Sequence, residues 1–285
     1  MSRIIVPAAE EMIGKEFKCL NHGHVTLIDY MGGDASVTQA ARVSYAGDKN
    51  TFDPVKDGGL IRYLMSHRHT TPFEMVQIKV RMKLPLFVAR QWVRHRTASL
   101  NEVSGRYTQL PDDFYIPEPE NVQHQSTDNK QGRSGQMEDA QVHIDHLLEE
   151  QQAAYQDYET RIEAGMAKEL SRINLPVSIY TEWYWNQNLH NMLHLLGLRM
   201  DSHAQYEIRV FADALYEIVK AVAPLSCEAW EEFGFHAKRF SRSEMEIVRN
   251  SMNPGGTGTW NREELKKDLG SDRAVDEFLA KIGKA

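Results

Sequence analysis

The stretch that decides the fold is VQIKVRMKLPLFVARQWVRHR, which runs from Val76 to Arg96. Its first part, up to Leu84, alternates apolar and polar side chains, and this period of two predicts a strand with one buried face. Pro85 has no backbone N–H, so it suits the end of that strand and the first turn of a helix. The stretch therefore predicts a strand that passes directly into a helix carrying basic residues.

The same periodicities extend along the rest of the chain. HVTLIDYM, from His24 to Met31, predicts a second strand. The segments Thr97–Arg106 and His124–Gln136 are predicted to be polar loops. Apolar residues at helical spacing predict five further helices, over residues 36–45, 59–67, 137–173, 178–198 and 202–221. Early strands followed by late helices are typical of the α+β class.

The composition is that of a soluble globular protein of 285 residues, with 41% hydrophobic and 26% charged residues. A net charge of −7 argues against non-specific binding to duplex nucleic acid, which needs a basic face. No apolar run reaches the length of a membrane span or resembles a signal peptide. The two cysteines suggest no disulfide framework, so we expect a cytoplasmic protein without nucleic-acid or membrane partners.

Four arginines crowd the segment RQWVRHRTASLNEVSGRY, from Arg90 to Tyr107. Like charges repel, so such a cluster indicates a bound anion unless salt bridges on a solvated helix face neutralise it. The chain has neither of the usual glycine-rich phosphate loops. A phosphate would therefore be held by side chains, and the planar guanidinium fork of arginine suits that task.

Three further motifs allow two interpretations each. HRHTTPFEM, from His67 to Met75, is either a helix end or a loop that positions a cofactor. The pairs in HNMLH (His190, His194) and HIDH (His143, His146) could bind a metal, but histidines on such helices are more often structural. Because the histidines are more often structural, we predict no metal site. No cysteine lies in a nucleophilic setting, so we also predict no thiol nucleophile.

The segment RHRTASLNEVSGRY resembles the signature of the flavin-dependent thymidylate synthases, which is Arg-His-Arg, seven residues, then Ser. Here the signature is Arg94-His95-Arg96, followed by Ser104 after seven residues. The resemblance extends to HRHTTPFE, RINLPVSIYTEWYW and LRMDSHAQYEIR and covers about residues 20–225. We therefore expect a catalytic domain over residues 1–235 and a helical extension over 236–285.

In the extension, SRSE at Ser241 and NREE at Asn261 predict helix starts, separated by a hinge at residues 254–258.

The resemblance implies a fold and an activity. The fold would have a central, mostly antiparallel sheet with long helices. The activity would be reductive methylation of dUMP to dTMP, with 5,10-methylenetetrahydrofolate as carbon donor, FAD as hydride carrier and NADPH as reductant. The family forms homotetramers with active sites where subunits meet.

The resemblance also implies site residues. Those expected to bind dUMP are Gln91, Arg94, Glu102, Ser104, Gly105, Arg106, Arg172 and Arg199. Those expected to bind FAD are His69, Thr71, Arg94, His95, Arg96, Glu102, Asn188 and His194. Arg199 would be catalytic, because it matches the arginine placed against the uracil ring. Met75 departs from the family pattern, since many members have histidine there.

Two other functions compete with this hypothesis. A metal-dependent nucleotide phosphohydrolase would use the histidine pairs as ligands and the arginines to hold phosphate. A single-strand RNA binder would use Arg94, Arg96, Trp92 and Tyr107 as a charged stacking patch.

Overall fold

The computed structural model describes residues 3–44, 52–127, 131–252 and 260–284. The chain forms two compact units, Met1–Gly234 and Phe235–Ala285. The strands are β1 (Glu16–Cys19), β2 (Gly23–Met31), β3 (Gln77–Pro85), β4 (Ser99–Glu102), β5 (Gln123–Gln125), β6 (Arg133–Gln136) and β7 (Tyr180–Asn188). The α-helices of the first unit are α1 (Pro7–Glu10), α2 (Asp34–Val43), α3 (Pro54–Ser66), α4 (Leu86–Trp92), α5 (Ala140–Glu163), α6 (Lys168–Ser171), α7 (Leu189–Arg199), α8 (Tyr206–Val222) and α9 (Pro224–Trp230).

One five-stranded sheet organises the first unit, in the order β1-β2-β3-β7-β4, with every neighbouring pair antiparallel. β3 lies in the middle, and its apolar residues Ile78, Val80, Met82 and Leu84 are fully buried. Helix α8 packs on the sheet, where the side chain of Phe211 touches the backbone at Gly23. The predicted α+β fold with an antiparallel central sheet and the predicted strand over Val76–Leu84 are both confirmed.

The predicted helix over residues 178–198 is wrong in its first half. Tyr180–Asn188 is strand β7, which pairs with β3 from Gln77↔Asn188 to Pro85↔Tyr180. Trp183 and Trp185 are buried while Tyr184 between them is exposed, so the segment has the period of a strand. Aromatic residues favour strands, and pairing along the whole of β3 decides the conformation.

The loop predicted over Thr97–Arg106 contains a strand. Ser99–Glu102 forms β4, an edge strand that pairs with Trp183–Asn186 of β7. Its four residues are all exposed and show no alternation of buried and exposed side chains. The partner that supplies the hydrogen bonds of β4 is about 80 residues away in sequence, so local pattern could not reveal it.

Several predicted helices are shorter than expected. Helix α4 ends at Trp92, so Arg94 and Arg96 lie beyond it rather than on it. The long pattern over 137–173 breaks after α5, where Gly165 takes a left-handed φ of 85° that favours glycine. Helix α8 begins at Tyr206 instead of Ser202. The polar segment 124–136 contributes to the β5–β6 hairpin, although residues 128–130 lie outside the described chain.

The second unit contains helices α10 (Arg242–Met252), α11 (Arg262–Leu269) and α12 (Asp272–Lys281). The two predicted helix starts are confirmed. Ser241 Oγ accepts from Glu244 N and Glu244 Oε2 accepts from Ser241 N, while Asn261 Oδ1 accepts from Glu263 N. The predicted hinge at 254–258 lies outside the described residues. No helix in the described ranges is long and apolar enough to cross a bilayer.

Candidate active site

The structure has a cavity of about 420 Å³ between helix α4, strand β4 and the turn at Arg172. Its polar lining consists of Arg90, Glu102, Ser104 and Arg172. Apolar walls come from α4 and from Trp183 of β7. The strand-to-helix junction at Pro85 sets the direction of α4, so the fold places Arg90 opposite the loop that follows β4.

Gly105 allows the loop to approach Arg172 closely. A Cβ at Gly105 would lie 3.0 Å from Arg172 Cδ and 3.2 Å from Leu110 Cγ, tighter than ordinary contacts. Ser104 turns the loop: its carbonyl accepts from Tyr107 N at 3.0 Å. The structure thus brings together Ser104, Gly105 and Arg172, three residues predicted to bind the nucleotide.

Glu102 is the carboxylate in this cavity. It ends β4, and its Oε1 accepts a hydrogen bond from Thr181 Oγ1 on β7 at 2.5 Å. A carboxylate can only accept, so its position suits a hydroxyl or amide donor of a ligand rather than a phosphate.

A second cluster surrounds Arg199, the last residue of α7. Arg199 Nε donates to His95 Nε2 at 3.0 Å, and its Nη2 donates to the backbone oxygen of Gln91 at 3.2 Å. The ring of His194 stands edge-on to that of His95, with centroids 6.3 Å apart. Gln91 and Arg199, predicted to bind dUMP, therefore meet His95 and His194, predicted to bind FAD.

Burial dominates the electrostatics of this cluster. It lowers the pKa of Arg199 below the ordinary arginine value. Burial, and then the charge of Arg199 and the nearby His194, lower the pKa of His95 to about 4. His95 is consequently neutral at pH 7, and because Nε2 accepts from Arg199, its proton resides on Nδ1.

Most of the clustered arginines lack a counterion. Within the described ranges, five arginines have no carboxylate within 4.0 Å of the guanidinium, namely Arg90, Arg94, Arg96, Arg172 and Arg199. Arg106 differs, because its Nε lies 3.3 Å from Glu169 Oε2. The salt-bridged surface considered from sequence therefore describes Arg106 only, and the other guanidinium groups are open to an anion.

The residues predicted for the flavin are more dispersed. Asn188 caps helix α7, with Oδ1 accepting from Asn191 N at 2.9 Å. His69 and Thr71 are exposed in the segment that follows α3. This segment leads to Val76, whose backbone oxygen accepts a hydrogen bond from the N–H of Leu189, the residue after Asn188. Arg94 and Arg96 are also exposed. No described contact links His69 or Thr71 to the Arg199 cluster.

Two residues at the site were not assigned from sequence. Arg90 lines the cavity, and its only signal in the sequence is its place in the arginine cluster. Gln205 accepts a hydrogen bond from Gln91 Nε2 at 2.6 Å. Its signal in the sequence is the motif AQYEIR, which belongs to one of the segments that carry the resemblance.

The histidine pairs assemble no obvious metal centre. His143 pairs with Asp139 along α5 at 3.4 Å, and His194 lies beside His95. In the part of the chain that the structure describes, no three His, Cys, Asp or Glu side chains are grouped to hold a metal ion.

Comparison with known proteins yields one family. Residues 26–225 match the model described as thymidylate synthase complementing protein. The flavin-dependent thymidylate synthase of Ehrlichia ruminantium (strain Gardel) is 51% identical over 249 residues, covering 87% of this chain and 83% of that protein. That of Rickettsia bellii (strain RML369-C) is 46% identical over 265 residues, covering 88% and 90%.

Among solved structures, a UMP/dUMP methylase, PolB from Streptomyces cacaoi bound with 5-Br dUMP, superposes with a TM-score of 0.71 at 31% identity. The match covers 77% of this chain and 99% of the methylase.

Proposed function

The chain belongs to the thymidylate synthase complementing protein family, the flavin-dependent thymidylate synthases, and from this we propose that it reductively methylates dUMP to dTMP. As a member of this family it is a methyltransferase and a flavoprotein. We further propose 5,10-methylenetetrahydrofolate as the carbon donor, FAD as the hydride carrier and NADPH as the reductant. Residues 1–235 would contain the catalytic machinery.

The observation that carries the proposal is the set of uncompensated guanidinium groups around the cavity. Arg90 and Arg172 line it without a carboxylate partner among the described residues, next to Ser104 and the loop at Gly105. A nucleotide phosphate would supply the missing charge through bidentate hydrogen bonds. We assign dUMP to this cavity, with Arg94 and Arg106 closing on its phosphate and Glu102 accepting from its sugar or base.

Arg199 is assigned the electrostatic role. Carbon 5 of uracil is a weak nucleophile until negative charge builds in the ring, and a fixed guanidinium stabilises that charge. Neutral His95 and the Gln91 carbonyl hold Arg199 through two hydrogen bonds without neutralising it. The positive charge therefore remains available to the substrate.

The donor set fits FAD. Arg94 and Arg96 are exposed cations that suit a pyrophosphate. Asn188 caps the start of α7, and His95 lies beside His194 and Arg199 toward its C-terminal end. We assign these residues, with His69, Thr71 and Glu102, to the flavin. Bound FAD would supply hydride transfer after reduction by NADPH.

A homotetramer would complete such a site. In one chain His69, Thr71, Arg94, Arg96 and His194 are all exposed, so a second copy is expected to cover the flavin. The cytoplasmic location expected from sequence stays a prediction.

An absorbance spectrum of the purified protein tests the proposal. We expect a flavin spectrum that NADPH bleaches, with dUMP present, and formation of dTMP only when methylenetetrahydrofolate is added. A colourless protein that releases phosphate from dUMP in a metal-dependent reaction would overturn the proposal and favour the phosphohydrolase. Affinity for single-stranded RNA that falls steeply with salt, without flavin, would favour the RNA binder.

A further inference from the structure

Glu207, in the first turn of α8, is buried to 2% exposure and surrounded by donors. Tyr115 OH donates to its Oε1 at 2.9 Å. Arg133 Nη2 and Gln205 Nε2 donate to its Oε2 at 2.7 and 2.8 Å. Burial alone would raise the pKa of Glu207, but the hydrogen bonds and charge of Arg133 hold that pKa below its ordinary value. The side chain is therefore an ionised, acceptor-only centre.

This carboxylate fixes the orientation of the Gln205 amide. If that amide were reversed, its oxygen would face the Glu207 carboxylate, and two acceptors would repel each other. Gln205 must direct Nε2 toward Glu207, which leaves its Oε1 directed toward Gln91. Gln205 is also the residue before the first turn of α8, and its backbone oxygen accepts from Ile208 N and Arg209 N.

The orientation of the Gln205 amide determines that of the Gln91 amide. Gln205 Oε1 can only accept, so Gln91 must donate its Nε2, at 2.6 Å. The Oε1 of Gln91 is then the end that faces away, and in the described structure it has no hydrogen-bond partner. The backbone oxygen of Gln91 simultaneously holds Arg199 at 3.2 Å, so this residue lies beside the catalytic arginine.

We propose that Glu207 and Gln205 are positioning residues that fix Gln91 so that its Oε1 is presented as a hydrogen-bond acceptor to the nucleotide. The inference rests on the proposed function, because it requires dUMP bound in the cavity at Arg90 and Arg172 to reach Gln91 in the neighbouring cluster. The group that Gln91 meets is then a donor, either the N3–H of uracil or the 3′-hydroxyl of the sugar.

We call this arrangement, in which Glu207 orients Gln205 and Gln205 orients Gln91, the relay. A double-mutant cycle between Gln205 and Gln91 tests it. Gln205 is exposed, so Gln205→Met removes both of its side-chain hydrogen bonds with little risk to folding, whereas Glu207→Gln alters a buried centre. We expect Gln205→Met to weaken dUMP binding by about three- to tenfold when Gln91 is present. In a Gln91→Met background the same change should have no further effect.

The readout is the dUMP dissociation constant of the flavin-loaded enzyme by calorimetry, with Tm recorded for each variant. Gln152→Met, an exposed glutamine on α5, is the matched control and should leave binding unchanged. Equal losses in both backgrounds, or no loss in either, would overturn the relay while leaving dUMP binding by the unaltered enzyme intact. Failure of the unaltered enzyme to bind dUMP would remove the proposed function and the relay together.

Steady-state kinetics and two dUMP analogues test whether Gln91 accepts a hydrogen bond from the nucleotide. Gln205→Met should raise KM for dUMP and leave kcat within about twofold, since no reacting atom is touched. N3-methyl-dUMP lacks the N3–H donor, and the 3′-deoxy analogue lacks the 3′-hydroxyl donor. With the analogue that lacks the donor Gln91 meets, Gln205→Met should no longer weaken nucleotide binding. A loss that persists undiminished with both analogues would refute the acceptor role.

Discussion

Arg106 and Arg199 have opposite electrostatic settings. The Arg106 side chain is 55% exposed and lies 3.3 Å from Glu169, which is equally exposed. Arg199 is partly buried, and its donors go to a neutral imidazole and a carbonyl. The exposed cation has a carboxylate partner and the buried cation has none.

The comparison separates binding from catalysis. An exposed ion pair stabilises a fold by at most about 1 kcal/mol, so Arg106 can exchange Glu169 for a phosphate at little cost. A buried cation without a counterion destabilises the unliganded site, and charge that develops on a substrate relieves this. We therefore expect Arg106 to act mainly on affinity and Arg199 mainly on turnover.

The largest effect should come from Arg199→Ala. Because the guanidinium acts on charge that develops during reaction, we expect kcat for dTMP formation to fall by about 10²- to 10³-fold. Flavin content, measured by absorbance, should not change. Arg199→Lys should rescue little, since an ammonium lacks the planar fork. Turnover close to normal in the alanine variant would refute the catalytic role.

Arg106→Ala should have the next largest effect. Losing one charge-assisted phosphate contact should weaken dUMP binding by about tenfold or more and leave flavin binding intact. Calorimetry with dUMP and flavin absorbance separate the two. Arg161→Ala, which removes an arginine paired with Asp157 on α5, should change neither. Equal losses of nucleotide and flavin would contradict the assignment.

The pH dependence of stability tests the setting of Arg199 through its partner His95. Unfolded His95 takes up a proton near pH 6.5 but folded His95 only near pH 4. Between these values the unfolded chain binds more protons, so the free energy of unfolding falls as the pH falls. Urea unfolding from pH 7 to pH 4.5 should show a smaller decline for His95→Asn than for the unaltered chain. His146→Asn, at an exposed position on α5, should behave like the unaltered chain.

Glu169→Gln should give the smallest change. Removing the exposed partner frees Arg106, so dUMP binding should tighten by no more than about fivefold, the equivalent of a surface ion pair. The gain should vanish when Arg106 is alanine. A gain that survives in that background would show that Glu169 repels the nucleotide directly, without Arg106.

The sequence predicted those parts of the fold that depend on local periodicity. β3 alternates strictly, and Pro85 marks its end. β7 was mistaken for a helix because its polar and apolar residues can be placed on either period, and only pairing with β3 decides between them. The resemblance, through two separate segments, predicted a shared site for Ser104, Gly105 and Arg172, and the structure places them close together; their role in binding stays a prediction. Arg90 and Gln205 remained unassigned, because their neighbours at the site come from distant segments.

Strand β4 forms one wall of the cavity proposed to bind the nucleotide, and this wall should open more easily than the rest of the sheet. Its four residues are hydrogen-bonded to β7 on one side only, and all four are exposed. Detaching this wall disturbs neither the β3–β7 ladder nor the core beneath it, so it requires only a small part of the global unfolding free energy. Amide protons at residues 99–102 will exchange with solvent well before those of β3, and a nucleotide held against Glu102 will slow them selectively.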